Sequence, residues 1–153
     1  MNTRKITTLA AIATASIAGA ISLSSIARAD VTRREFQSPS GDIVCELSAG
    51  SDGTGSVFCD IGTYGPPPYR PDCPQGWGVR FGLDQGNAPV SQCQEDTIIP
   101  GSRPSNRGLA TLAYGKTASA GTITCDSEPT GITCTDASTG HFFRVSQESY
   151  QLG

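Results

Sequence analysis

Histidine is nearly missing from this 153-residue sequence: His141 is the only one. Any Ser-His-Asp or Cys-His mechanism must therefore run through that residue, and no G-x-S-x-G elbow accompanies it. Closely spaced cysteine pairs are also missing. Without a C-x-x-C, zinc sites and redox-active dithiols have no ligand set, and neither a metal nor another cofactor is expected. Asp52-Gly53-Thr54-Gly55 lacks the ligand series of a calcium loop and reads as a turn. Past the N-terminal segment no window keeps a helical period.

Charge is absent altogether from Ile6 to Ala27. Arg4 and Lys5 precede this run, and Ala27-Arg28-Ala29 closes it with small residues where signal peptidase requires them. A basic start, an apolar middle and an A-x-A end make residues 1–29 a secretory signal, cleaved before Asp30. The alternative, a retained membrane anchor, is opposed by the many Ala, Ser and Thr residues and by Arg28. No cysteine lies near the cleavage site to take a lipid, so no stable membrane anchor is expected after cleavage.

Residues 30–153 then form one domain of 124 residues, with eight basic against fourteen acidic side chains. A net charge near −6 excludes nucleic acid and an anionic membrane surface as partners, because both need a basic face. Core-forming residues are sparse, about a third of the domain, while glycine and proline are plentiful. Such a core leaves a thin margin over conformational entropy.

Six cysteines make up the difference: Cys45, Cys59, Cys73, Cys93, Cys125 and Cys134. An even number in an exported chain reads as a disulfide framework, here with fifteen possible pairings. Local pattern narrows them. Ile43, Cys45 and Leu47 alternate, as do Val57, Cys59 and Ile61, so each cysteine falls on the apolar face of a strand. The glycine- and serine-rich stretch between them is a turn, which makes a hairpin with Cys45 opposite Cys59. Gly121-x-Ile123-x-Cys125 and Gly131-Ile132-x-Cys134 repeat the arrangement around a shorter turn. Elimination leaves Cys73 with Cys93.

Trp77–Leu83 alternates as a half-buried strand, and Leu109–Tyr114 and His141–Val145 are further candidates. Gly62–Pro74, with five prolines, cannot join a central ladder and is expected as an extended surface segment. Pro100–Gly108 reads as a second loop with local positive charge. The expected fold is all-β, a small disulfide-stapled barrel or sandwich built from hairpins.

One set of motifs spans nearly the whole domain. It comprises Phe36-x-Ser38-Pro39-Ser40-Gly41-x-Ile43-x-Cys45, Asp72-Cys73-Pro74, Trp77-Gly78, Tyr114-Gly115, Gly131-Ile132-x-Cys134, Thr139-Gly140-His141-x-Phe143 and Tyr150-x-Leu152. In this order the set resembles a family of small, exported, cysteine-rich actinobacterial proteins, abundant in mycobacteria, whose function is not established. Phe142 stands where that pattern has a small residue. The resemblance implies export and a domain class, and no catalytic residues.

Three functions of different kinds are compatible with these residues. The first is a non-enzymatic binding module, secreted or held at the cell envelope, recognising a protein or glycan through Tyr64, Tyr69, Arg70 and Trp77 around the proline-rich loop. The second is a secreted protease inhibitor presenting Pro66–Pro74 as a substrate mimic, and the third a small hydrolase centred on His141. The carboxylate pairs Glu95-Asp96 and Asp42/Glu46 are expected on the solvated surface. The binding module is the reading these residues favour.

Overall fold

The structure, a computed structural model, describes residues 32–61, 73, 78–95 and 108–153. The segment 1–29 expected as a leader, Tyr64, Tyr69, Arg70 and Trp77, the proline-rich stretch apart from Cys73, and residues 100–107 lie outside the described residues.

Five strands, β1 (Thr32–Gln37), β2 (Ile43–Ala49), β3 (Gly55–Ile61), β4 (Gly78–Asp84) and β5 (Val90–Gln94), form an antiparallel meander in chain order. The short β6 (Ala110–Thr111) adds to its edge, parallel to β1. The second sheet is another meander in chain order: β7 (Thr117–Ala120), β8 (Ile123–Glu128), β9 (Gly131–Asp136), β10 (Phe142–Val145) and β11 (Tyr150–Leu152). The two sheets share one core and are not closed into a barrel, so the fold is a sandwich.

All three expected disulfides are present, Cys45–Cys59, Cys73–Cys93 and Cys125–Cys134. The two hairpin bridges join directly opposed residues whose Cα atoms are 4.0 Å apart. The echo between the hairpins extends well beyond the cysteines. Each bridge links the second and third strands of its meander, and on the fourth strand a phenylalanine lies opposite the later cysteine: Phe81 opposite Cys59, Phe143 opposite Cys134. These two rings meet across the sandwich with centroids 6.3 Å apart. Alternation accounts for the layering, since Val57, Cys59 and Ile61 point inward while Ser56 and Phe58 point outward.

Two expectations change. Leu109–Tyr114 contains a strand of only two residues, because the chain turns at Ala113–Lys116, with Gly115 at φ 74° and the Lys116 amide bonded to the Ala113 carbonyl. Glu46 is not solvated surface: it is 6% exposed and ion-paired with Arg33.

One end of the sandwich is stitched shut by polar groups. The Gln85 side-chain oxygen accepts the amides of Gly55 (3.0 Å) and Thr122 (3.3 Å), tying the β4–β5 turn to both sheets. At Gly55 a side chain would collide with the Ala120 carbonyl, so only glycine allows this approach of the two layers. Asp136, fully buried at the end of β9, accepts the Gly86 amide (2.7 Å), the Thr122 hydroxyl (2.5 Å) and both the amide and hydroxyl of Ser138. The Gly86 amide, then the Thr122 hydroxyl, hold this carboxyl well below the usual carboxylate range.

A carboxyl depressed on folding stabilises the native state above its unfolded value, and that stabilisation fades as pH falls below it. Thermal melts should therefore drop steeply below about pH 4. Asp136→Asn should start from a lower Tm at neutral pH and lose much of the acid slope, since the amide cannot accept all these donors. Parallel acid profiles of the two proteins would expose the opposite case.

Candidate functional site

The other end of the sandwich stays open. Four turns meet there around a cleft of about 670 Å³, within the usual size of small-molecule sites. The β1–β2 turn brings Ser38 and Ser40. It is folded by the Gly41 amide on the Ser38 carbonyl (2.9 Å) and the Ile43 amide on the Ser38 hydroxyl (3.2 Å). The β8–β9 turn brings Glu128, Pro129 and Thr130. Gly131 follows at φ 131°, where a side chain would strike the Val145 carbonyl. The β10–β11 turn, Ser146–Ser149, closes through its own backbone and the Ser146 hydroxyl. Tyr114 comes from the turn before β7.

Two tyrosines dominate the rim, and they differ. Tyr150 packs at a 45° tilt against the buried Phe81 ring, centroids 5.0 Å apart, and is 39% exposed. Tyr114 is 50% exposed and contributes nothing to the core. Arg144 donates to the Thr130 hydroxyl (2.5 Å), which in turn donates to Glu128 (3.4 Å), so a guanidinium and a carboxylate are held on one wall through a shared threonine. Residues carrying the family resemblance, Ser38, Ser40, Ile43, Tyr114, Gly131 and Tyr150, all reach this cleft although up to 112 positions separate them in the chain. Packing explains Ile43 and Gly131. It does not explain Tyr114.

His141 lies at the far end of β10, beside the Asp136 clamp. Its Nδ1 is 3.3 Å from a main-chain oxygen of Gly153, and among the described residues no side-chain carboxylate or hydroxyl hydrogen-bonds the ring. Asp52 caps its own turn by accepting the Thr54 amide (2.9 Å), which lowers its carboxyl below the usual range. On the outer face of the first sheet, Asp60 takes a bidentate Arg80 (2.7 and 2.8 Å), and the guanidinium lies 4.2 Å above the Phe58 ring. The Asp60 hydrogen bonds raise the Arg80 pKa, and the pair reads as a buttress for β3 against β4.

Tyr64, Tyr69, Arg70 and Trp77, the residues sequence reasoning chose for recognition, lie outside the described residues, as does Pro66–Pro74 except Cys73. The cleft itself was missed. Its one sequence signal was Tyr114-Gly115, an aromatic at a turn with no apolar partner in register. No curated protein and no solved structure matches the chain. A family model covers residues 13–152, the whole sandwich included, and the chain belongs to that family, the family of unknown function DUF6636.

Proposed function

We propose that this is a non-enzymatic binding module, exported by its leader to work at the cell envelope or in the exterior of an actinobacterial cell, with its ligand seated in the Tyr114–Tyr150 cleft. Three disulfides with no free cysteine suit an oxidising compartment. What carries the binding reading is Tyr114: a large ring displayed at a cleft, which no packing requirement explains. Hydroxyl, amide and carboxylate groups surround it, while His141 stands at the opposite end of the sandwich.

The test is capture from envelope extract by the oxidised protein, produced from the full reading frame through an oxidising export route. Wild type should retain material saturably. Tyr114→Ala should lose most of it at an unchanged Tm, since the side chain supports no core. Equal capture by both proteins would remove the cleft from the proposal. Turnover of esterase, glycosidase or peptidase substrates that disappears in His141→Ala would replace binding with catalysis.

A further inference from the structure

We infer that the cleft takes a neutral oligosaccharide, a reading that rests on the binding-module proposal and names its ligand class. The turns around the cleft spend their backbone on themselves: Ser38 bonds Ile43, Gly41 bonds Ser38, Gly115 bonds Ser127 and Ser146 bonds Ser149. A peptide docking as an added strand needs a row of unpaired amides and carbonyls, and these turns offer little of it. The edge strand β11 also borders the cleft, but at 3 residues it is too short to template a docked strand, so side chains are the main groups that remain.

Among the described residues, the Gln147 amide, the Glu148 carboxylate and the hydroxyls of Tyr114 and Tyr150 form no hydrogen bond within the protein. With Arg144 and Glu128 they supply planar donors and acceptors in mixed order. A sugar hydroxyl both donates and accepts, so a hydroxyl-rich neutral ligand can use such a mixture, whereas a ligand of one polarity leaves half of it unpaired. Glu128 and Glu148 against the single Arg144 disfavour a polyanion. Ile43 and Pro129, the lining's aliphatic side chains, offer too little surface to suit a lipid-like ligand. The exposed Tyr114 ring supplies the flat apolar face that covers the C–H side of a sugar ring.

The experiment titrates the oxidised protein with cello-, malto-, manno- and arabino-oligosaccharides of about two to four residues. Trilysine and inorganic pyrophosphate serve as comparators, and binding is read by calorimetry and tyrosine fluorescence. One neutral series should bind saturably. Tyr114→Ala should weaken it by about tenfold or more, Tyr114→Phe much less, and Glu148→Gln several-fold, all at wild-type Tm. Silence from every sugar overturns the inference, as does binding indifferent to Tyr114→Ala, or binding by trilysine or pyrophosphate instead. If sugars are silent but Tyr114-dependent capture from extract persists, the ligand class is wrong and the binding module stands. If capture is lost as well, both fall.

Discussion

A variant lacking both hairpin disulfides, with Cys45, Cys59, Cys125 and Cys134 all replaced by alanine, is expected to be unfolded at 37 °C. The bridges close loops of 14 and 9 residues, for which chain entropy gives about 3 and about 2.5 kcal/mol. Together these approach the lower end of the total stability of a small domain, ~5–15 kcal/mol. All four sulfurs are also fully buried between the sheets, so alanine leaves unfilled space at the centre of the core. Either pair removed alone should leave a folded protein destabilised by about 2–5 kcal/mol. Circular dichroism melts of the three variants decide the matter. A four-alanine protein melting within a few degrees of wild type would show that packing, and not the bridges, holds the sandwich.

The second large effect is expected at the two phenylalanines. Phe81 and Phe143 are both fully buried and meet between the layers. Truncating either to alanine should cost about 3–5 kcal/mol, the transfer of the ring plus the cavity it leaves. The pair should not be additive. Once one ring is gone the other has lost its neighbour, so a double-mutant cycle in urea should return about 1 kcal/mol of coupling. Phe81→Ala should further loosen Tyr150, which rests on the same ring, and so reach the cleft. Phe143 makes no ring contact with Tyr150 and reaches the cleft only through the β10–β11 pairing, so Phe143→Ala should disturb it less. If the two variants disturb the cleft equally, the Phe81–Tyr150 contact does not transmit.

The hairpins were readable in the chain because their signals are local. Apolar alternation around each hairpin cysteine and a glycine at the turn act within about fifteen residues, and the even cysteine count adds a whole-chain signal that all six are paired. The flanking strands carried no such signal. In β1, Thr32-Arg33-Arg34-Glu35 faces solvent along most of its length, and β7 is Thr-Ala-Ser-Ala. Both become strands because a neighbouring hairpin offers them unpaired backbone, which no side-chain period records. Asp60 and Asp136 read as ordinary polar positions near strand ends. Only the fold buries them, against Arg80 and beneath the β4–β5 turn.

By itself, then, the chain determined the all-β class, the three disulfides and the inward face of each hairpin, since these follow from side-chain alternation and the valence of sulfur. The tertiary structure alone decided that two meanders of one plan stack into a sandwich clamped at one end by Gln85 and Asp136. It alone gathered Tyr114, Glu128, Arg144 and Tyr150 at the other. These residues come from separate turns, and what unites them is the packing of two sheets over a shared core, a constraint that acts across space and leaves no period in the sequence.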